Sequence, residues 1–383
     1  MGNLRDNPGA LLCVVGARPN YMKMAPLLRA FRGHAALPPA VLVHTGQHYD
    51  PMLNDRLFED LALPRPDINL GVGSGTHAVQ TAEVMRRFEP VVDEHQPSCV
   101  VVVGDVNSTL ACSLVAVKKG VPVAHVEAGL RSFDRAMPEE INRILTDQIS
   151  DLLYTTERTA HDHLAREGIP ADRSHFVGNV MIDSLLFHKS CAVPAARTLQ
   201  AARASFGTEG YGVVTLHRPS NVDEPEALRA SLQILREVSQ RLPLACALHP
   251  RTVARIDGFG LGDMLRTGRI AVLPPQGYLE MLGLMAGATL VVTDSGGMQE
   301  ETTALSVPCL TLRENTERPI TIEQGTNTLV GRDRALIVRL VDEILATGGK
   351  RGRTPELWDG RAAERIATHL AGWLATRAAS LRA

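Results

Sequence analysis

The sequence predicts an α/β protein made of two doubly wound, Rossmann-like parallel-sheet domains that face each other across a cleft. Three observations predict this fold class. Short, continuously apolar runs alternate with helical patterns, which indicates parallel strands covered on both faces by crossover helices. The 383 residues exceed the usual size of one domain. The alternation also stops at an irregular segment and starts again at residue 211.

The first series of strands predicts an N-terminal domain over residues 1–185. Between its early strands, apolar residues recur at three- and four-residue spacing over residues 21–33, 76–95 and 108–120, which is typical of amphipathic helices. The irregular segment that follows predicts a junction over residues 186–210. The predicted strands are LLCVVG (11–16), AVLVHTG (40–46), CVVVVGD (99–105), VPVAHVE (121–127), DLLYTTE (151–157) and HFVGN (175–179).

The second series predicts a C-terminal domain over residues 211–360. Helical patterns over 278–288 and 297–306 separate its later strands, and residues 361–383 read as a long closing helix. The predicted strands are YGVVTLH (211–217), LACALHP (244–250), RIAVLPP (269–275), TLVVTDSGG (289–297) and VPCLTLR (307–313).

Composition limits the classes of partner. Forty basic and forty-two acidic side chains give a net charge of -2 without a long basic run, which argues against nucleic acid. No apolar run approaches the length of a membrane span, and the N-terminus lacks a signal-peptide pattern, so we expect a cytoplasmic protein without a membrane partner. Six separated cysteines without a CxxC pair are expected to be buried free thiols: Cys13, Cys99, Cys112, Cys191, Cys246 and Cys309.

The stretch TDSGGMQEE carries the strongest local signal for phosphate. Ser295, Gly296 and Gly297 follow an apolar strand and open a helix, so free backbone N–H groups are expected to point at an approaching anion. Glu301, one turn further, could accept hydrogen bonds from ribose hydroxyls. A tight turn is the commoner explanation for an isolated SGG, but ligands of open parallel sheets collect at the carboxyl ends of strands, which favours the phosphate site.

Two further strand ends carry cations. Arg18 and Lys23 follow the first strand in a loop limited by Pro19, and a guanidinium and an ammonium are the usual partners of a diphosphate where no metal is present. His217 and Arg218 end the first strand of the second domain. Surface charge or a structural hydrogen bond would explain each alone. Together with the SGG turn they predict an anion site.

The stretch HVEAGLRSFDRAMPEE (125–140) predicts a group of acids. Glu127 ends a strand, Pro138 suits the first residue of a helix, and Glu139 then lies in that helix's first turn. Acids at helix starts are commonly dipole partners, but Asp105 ends a neighbouring strand as well. Crowded carboxylates raise the proton affinity of at least one member unless cations compensate, which suits proton transfer.

Two other patterns are rejected as sites. GVGSGTHAV (71–79) resembles a dinucleotide fingerprint, but the run before it is short and contains Pro66, so no nicotinamide cofactor is expected. HTGQH resembles a metal pair, but Gly46 argues against a helical spacing of His44 and His48, and no further ligands complete the set. We therefore expect neither a metal nor a cofactor.

In this order of motifs the chain resembles the non-hydrolysing UDP-N-acetylglucosamine 2-epimerases, which have a glycosyltransferase B-type fold. The resemblance covers nearly the whole chain. The motifs are GARPNYMKMAPL, TGQH, GDVNSTLA, HVEAGLRS, MPEEINR, GNVMIDSL, VTLHRPSNVD, TDSGGMQEE, LRENTERP and GTNTLVG.

The resemblance implies that UDP-N-acetylglucosamine is converted reversibly to UDP-N-acetylmannosamine. The C2 proton and UDP would be eliminated to give a glycal, and both would then add back with C2 inverted. It also implies a homodimer. The implied nucleotide-binding residues are Ser295, Gly296, Gly297 and Glu301, with Arg18 and His217 at the diphosphate. The implied catalytic residues are Lys23, Asp105, Glu127, Glu139 and His217.

Asn20 and Met281 depart from the family pattern, in which glutamate and an aromatic residue are frequent, and Tyr49 and Asp50 stand where many bacterial members begin an arginine-bearing allosteric loop. Four alternatives remain open. They are a hydrolysing relative that releases UDP and N-acetylmannosamine, a 2-epimerase of a UDP-diacetamido-uronic acid, a glycosyltransferase of the same fold, and a non-catalytic nucleotide-sugar sensor. Three carboxylates beside an anionic ligand argue against the sensor.

Overall fold

The computed structural model describes residues 9–46, 57–204, 206 and 210–382. The described residues form two compact units, Met1–Ser184 with Glu356–Ala383, and Leu185–Pro355. They are called unit 1 and unit 2 below. Part of the segment interpreted as a junction forms a helix, Ala195–Ala201, whose Leu199 packs in a core of unit 2. The C-terminal helix belongs to unit 1.

Unit 1 contains one seven-stranded parallel sheet with the strand order β3-β2-β1-β4-β5-β6-β7. Each of the six predicted runs overlaps a strand. The seventh, β3, has only two residues, too few for a periodic signal, and was not predicted. The strands are β1 (Leu11–Val15), β2 (Ala40–His44), β3 (Ile68–Asn69), β4 (Cys99–Val103), β5 (Val123–Ala128), β6 (Leu152–Thr155) and β7 (Ser174–Phe176).

Helices connect these strands. The C-terminal helix, Ala362–Arg382, contacts the first of these helices, Arg18–Gly33. The helices are α1 (Arg18–Gly33), α2 (His77–His95), α3 (Asn107–Lys118), α4 (Pro138–Ile149), α5 (Thr159–Arg166) and α6 (Val180–His188), in which the chain passes into unit 2.

Unit 2 contains a six-stranded parallel sheet with the strand order β10-β9-β8-β11-β12-β13. The predicted fold class of two doubly wound parallel sheets is therefore confirmed. The strands are β8 (Gly212–Thr215), β9 (Leu244–Cys246), β10 (Ile270–Val272), β11 (Leu290–Thr293), β12 (Cys309–Thr311) and β13 (Asn327–Leu329). The helices are α7 (Ala195–Ala201), α8 (Pro219–Val222), α9 (Pro225–Val238), α10 (Pro250–Gly258), α11 (Asp263–Arg266), α12 (Tyr278–Ala286), α13 (Gly296–Leu305), α14 (Ile320–Glu323) and α15 (Arg334–Thr347).

The continuous apolar character of the strands follows from cores on both faces of the sheet. In unit 2, Val213 and Val291 belong to one buried cluster, whereas their neighbours Val214 and Val292 belong to another. Successive side chains of a strand point to opposite faces, so a strand between two cores is apolar at successive positions.

The cysteine prediction is correct for five of the six residues. Cys191 is exposed, because it lies in a short 3₁₀ turn instead of an apolar strand. All six thiols are free. Across the ranges that the structure describes, no helix combines the length and apolar character needed to cross a membrane.

Two glycines of unit 1 should respond in opposite ways to alanine. Gly372 lies within the C-terminal helix with open space where a Cβ would stand, whereas Gly178 has a φ of +90° and its Cβ would lie 2.1 Å from the carbonyl oxygen of Leu357. We expect Gly372→Ala to raise the free energy of unfolding by about 0.5–1 kcal/mol. Gly178→Ala should lower it by about 1–3 kcal/mol. Urea unfolding measures the free energy of unfolding of both variants. Equal changes would contradict the surroundings described for Gly372 and Gly178.

Candidate active site

Four of the predicted residues follow the strands at which chain order reverses in each sheet. Chain order reverses between β1 and β4 in unit 1 and between β8 and β11 in unit 2. Lys23 follows β1 and Asp105 follows β4, while His217 follows β8 and Ser295 follows β11. Open α/β sheets bind ligands at the carboxyl ends of strands where the order reverses. Each unit therefore presents a candidate site at its switch point.

Lys23 and Glu127 form a buried ion pair in unit 1. Lys23 Nζ lies 2.6 Å from Glu127 Oε1, and the two side chains are 4% and 2% exposed. The prediction of a loop at Arg18 and Lys23 is wrong, because α1 already begins at Arg18. Pro19 explains the difference, since proline lacks the N–H that the first turn of a helix leaves unused. The helix thus carries Lys23 to the end of β5.

Asn20, which departs from the family pattern, holds the start of this helix. Its Oδ1 accepts hydrogen bonds from the N–H groups of Gly16 and Ala17 at 3.1 and 3.0 Å, and its Nδ2 donates to the Val103 carbonyl at 3.0 Å. A buried amide can donate and accept at once, so Asn20 links the ends of β1 and β4. This role was not predicted, because Val103 lies far away in the sequence.

Asp105 and Glu140 share one arginine. Arg143 Nη2 contacts Asp105 Oδ2 at 2.5 Å, and Arg143 Nη1 contacts Glu140 Oε2 at 2.9 Å. Asp105 remains partly exposed, whereas Glu140 is buried. Cations therefore accompany the predicted carboxylates Asp105 and Glu127 and oppose the repulsion expected from the sequence.

Glu139 and Glu140 have different surroundings at the start of α4, which begins at Pro138 as predicted. The Glu140 carboxylate accepts hydrogen bonds from the backbone of Ser132 and Phe133 at 3.0 and 2.9 Å and so shapes the loop after β5. Glu139 is only partly buried. The sequence could not distinguish the two neighbours, since both are acids in the first helical turn.

Asp294 orients His217 in unit 2. The buried Asp294 carboxylate lies 2.7 Å from His217 Nδ1 and accepts the backbone N–H groups of His217 and Arg218. Burial alone would raise the pKa of Asp294, but the hydrogen bonds and charge of His217 hold it below its ordinary value. With Nδ1 engaged, Nε2 is left for another partner. Asp294 was not predicted as a site residue, although an aspartate directly after a buried strand was a usable signal.

Gly296 opens α13 against a buried network of charges. A Cβ at Gly296 would lie 2.6 Å from Arg318 Nη1 and 2.7 Å from Glu317 Oε1. Arg318 also contacts Glu300 at 3.0 Å, and Arg313 contacts Glu317 at 2.8 Å. Side chains of the later loop thus pack against the first turn of the helix, while Ser295 and Gly297 stay partly exposed.

Glu301 is buried beside Tyr278. Burial raises its pKa to about 8, a hydrogen bond from Tyr278 opposes this, and the Glu300 charge adds to it. A carboxyl with this pKa is mostly protonated at pH 7 and can both donate and accept a hydrogen bond.

Glu301 should therefore make stability fall with rising pH. Its folded-state pKa is raised above its ordinary 4.5, so its contribution is complete below pH 4.5 and is lost as pH rises to about 8. Glu301→Gln cannot titrate, so we expect its stability relative to the parent to increase between pH 5 and pH 8 and then level off. Urea unfolding at pH 5, 7 and 9 measures this. A difference that is constant with pH would contradict the assignment.

His44 is the histidine of HTGQH that the structure describes, and its ring nitrogens contact neutral side chains. His44 Nε2 contacts the Tyr21 hydroxyl at 2.5 Å and its Nδ1 lies 3.4 Å from Asn69 Oδ1. His48, Tyr49 and Asp50 lie outside the described residues. Among the described residues, no group of three or more His, Cys, Asp or Glu side chains could hold a metal ion.

Comparisons with a family model, with curated proteins and with solved structures identify the same family. A family model described as UDP-N-acetylglucosamine 2-epimerase matches residues 34–371. The UDP-N-acetylglucosamine 2-epimerase of Methanocaldococcus jannaschii is 41% identical over 363 residues, which cover 93% of this chain and 97% of the relative. The UDP-2,3-diacetamido-2,3-dideoxy-D-glucuronate 2-epimerase of Pseudomonas aeruginosa is 40% identical over 365 residues, covering 94% and 99%.

A solved structure gives the same result. The crystal structure of the Methanocaldococcus jannaschii UDP-GlcNAc 2-epimerase in complex with UDP-GlcNAc and UDP superimposes with a TM-score of 0.84 at 41% identity. The match covers 94% of this chain and 99% of that structure.

Proposed function

This chain belongs to the UDP-N-acetylglucosamine 2-epimerase family, and from that premise we propose that it interconverts UDP-N-acetylglucosamine and UDP-N-acetylmannosamine without net hydrolysis. The observation that carries the proposal is the buried Lys23–Glu127 pair, with Asp105 following the adjacent strand, at the switch point of unit 1. Carboxyl groups at the ends of two neighbouring strands, where open sheets bind ligands, place candidate acids and bases for removal and return of a proton.

In the proposed reaction, a side chain of unit 1 takes the proton from C2 of the sugar and the C1–O bond breaks. The electron pair of the C–H bond forms the C1–C2 double bond of a glycal, and UDP leaves with the electrons of the C1–O bond. Return of a proton to the opposite face of C2 and of UDP to C1 completes the inversion. Asp105, Glu127 and Glu139 are the proposed acids and bases. Lys23 Nζ, 2.6 Å from Glu127 Oε1, would hold that carboxyl group in place.

Unit 2 is the proposed nucleotide-binding part. The N–H groups at the start of α13, at Ser295, Gly296 and Gly297, would meet phosphate oxygens, and Glu301 would bond ribose hydroxyls. His217, oriented by Asp294, would stabilise the charge that develops on the leaving diphosphate. Arg18, at the first residue of α1, is the proposed diphosphate partner in unit 1.

Incubation with UDP-N-acetylglucosamine, followed by NMR of the products, tests the proposal. We expect a mixture of UDP-N-acetylglucosamine and UDP-N-acetylmannosamine that stops changing with time. Accumulation of UDP with free N-acetylmannosamine would identify a hydrolysing enzyme instead. Product formation only after addition of a sugar acceptor would identify a glycosyltransferase. Binding of UDP without turnover would identify a sensor.

The 40% identity to the Pseudomonas aeruginosa UDP-diacetamido-glucuronate 2-epimerase supports a second candidate substrate. That sugar carries a C6 carboxylate and a second acetamido group, whereas UDP-N-acetylglucosamine has hydroxyls at both positions. Both nucleotide sugars should be supplied in parallel under the same conditions. A kcat/KM for the diacetamido-uronate that exceeds the value for UDP-N-acetylglucosamine would assign the second substrate.

Chelation of divalent metals should leave turnover unchanged. The proposed positive field comes from Arg18, Lys23 and the amides at the start of α13, which EDTA does not remove. Turnover is measured before and after dialysis against EDTA. Loss of activity that a divalent cation restores would contradict this expectation.

We also propose, from the family resemblance, that the protein is a homodimer, and, from its six free thiols, that it works in the cytoplasm. Light scattering after size-exclusion chromatography gives the mass in solution. A monomer mass near the 41.4 kDa of one chain would reject the dimer. Fractionation of the source cells tests the compartment, and recovery outside the cytoplasm would reject it.

A further inference from the structure

His125 is fully buried in β5, and both of its ring nitrogens have partners. Nδ1 lies 2.7 Å from Asp147 Oδ1, and Nε2 lies 2.8 Å from the carbonyl oxygen of Gly104. The proposed reaction uses neither His125 nor Asp147. The two contacts of this fully buried ring therefore need an explanation outside the proposed reaction.

Both partners of His125 accept hydrogen bonds. A carbonyl oxygen cannot donate, and the Asp147 carboxylate already accepts the Gly129 N–H at 3.0 Å and an Arg131 N–H at 2.7 Å. Burial alone would raise the pKa of Asp147, but His125 and Arg131 hold it below its ordinary value. The two contacts of the His125 ring therefore tie Asp147 to the Gly104 carbonyl across β5.

The His125 ring contacts backbone that lies next to proposed catalytic residues. Gly104 directly precedes Asp105. It has a φ of +67°, and its Cβ would lie 3.1 Å from Lys23 Nζ and 3.9 Å from Glu127 Oε1. The Gly104–Asp105 peptide therefore runs against the Lys23–Glu127 pair.

The Asp147 carboxylate also holds the backbone that follows Glu127. Glu127 has a φ of +71°, a sparsely populated conformation for a residue other than glycine, and β5 shifts its register against β6 between Val126 and Ala128. The Asp147 carboxylate binds the Gly129 N–H directly after this irregularity. Strained backbone persists where surrounding contacts hold it.

We propose that His125 is a positioning residue: with Asp147 it fixes the Gly104 carbonyl and the Gly129 N–H, and thereby sets the spacing of Asp105 and Glu127 for proton transfer at the substrate. The inference rests on the proposed function for its catalytic consequence, and on the contacts within unit 1 for its structural part. Its effect falls on the chemical step, because the proposed nucleotide-binding residues of unit 2 take no part in the network.

Two substitutions separate the two hydrogen bonds of the ring. The side-chain amide of His125→Gln can replace Nε2 and keep the bond to Gly104. The shorter amide of His125→Asn can replace Nδ1 and keep the bond to Asp147. His369→Asn is the matched control, since His369 is a half-buried histidine of the same unit that contacts Tyr154.

The expected order of activities opposes the expected order of stabilities. His125→Asn should lower kcat by about 10- to 100-fold with little change in KM, the scale of a misplacement of about 1 Å. His125→Gln should keep most of its activity, although it is the less stable variant because it loses a bond to a charged group. The control should resemble the parent. If kcat instead follows stability, with His125→Gln the slower variant, the role is merely structural and the proposal fails.

Amide hydrogen exchange makes the test independent of turnover. Mass spectrometry of peptides that contain residues 104–109 should show faster exchange in His125→Asn than in His125→Gln. If the parent does not epimerise and this order still appears, the proposed function fails while the positioning of Gly104 stands. If the parent epimerises and exchange is equal in both variants, the positioning proposal is rejected and the function remains.

Discussion

Glu127→Gln is expected to lower kcat by at least about a hundredfold, the usual scale for loss of a general acid or base. The amide keeps the volume of the side chain but cannot exchange a proton. The variant should also lose about 3–5 kcal/mol of folding stability, because it leaves the buried Lys23 ammonium without its partner 2.6 Å away. Steady-state kinetics and urea unfolding measure the two effects separately.

The double variant Lys23→Met, Glu127→Gln separates catalysis from folding. It removes both buried charges, so most of the lost stability should return, while kcat stays low. Asp105→Asn and Glu139→Gln should also lower kcat, with a smaller effect on stability because both carboxyl groups are partly exposed. Near-normal kcat in all three single variants would show that the acids have a structural role only. Recovery of activity in the double variant would show the same for Glu127.

Gly296→Ala is expected to weaken UDP binding by about 5- to 150-fold, which corresponds to the roughly 1–3 kcal/mol of an overpacked site. The new methyl group would meet Arg318 at 2.6 Å and Glu317 at 2.7 Å. Both side chains are buried and held in ion pairs, so neither can turn away freely. The start of α13 must shift instead, together with the N–H groups proposed to bind phosphate. Titration calorimetry with UDP measures the loss.

Gly258→Ala is the matched control in the same unit. Gly258 ends α10, and nothing lies within 4 Å of the position of its Cβ. We expect UDP affinity equal to that of the parent. If Gly296→Ala also binds UDP like the parent, the N-terminus of α13 is not the phosphate site.

The strands could be predicted from the sequence because strands buried on both faces are apolar at successive positions, as Val213 and Val214 illustrate. The identity of the residues at strand ends could also be predicted, since these ends follow directly from the strands. The order of the strands within each sheet could not be predicted. The sequence does not show that β1 neighbours β4, and therefore that Lys23 reaches Glu127 across 104 positions of sequence.

The residues that orient the site were missed for the same reason. Asn20, Asp294 and Asp147 each act through a hydrogen bond to a residue of another element, and local patterns carry no record of such partners. The sequence did not distinguish Glu140 from Glu139. The two residues differ in burial, which depends on the path of the loop after β5. The exposed thiol of Cys191 was missed because its segment has no periodic pattern.

Epimerisation of UDP-N-acetylglucosamine in deuterium oxide, with an oxygen isotope in the position that bridges C1 and the β-phosphate, tests the central claim most directly. If side chains of unit 1 remove and return the C2 proton, the product should contain deuterium at C2. If the C1–O bond breaks in each cycle, the isotope should also scramble into the non-bridging oxygens of the β-phosphate. NMR reads both positions in one sample. Epimerised product that retains protium at C2 and the isotope in the bridge would contradict the account.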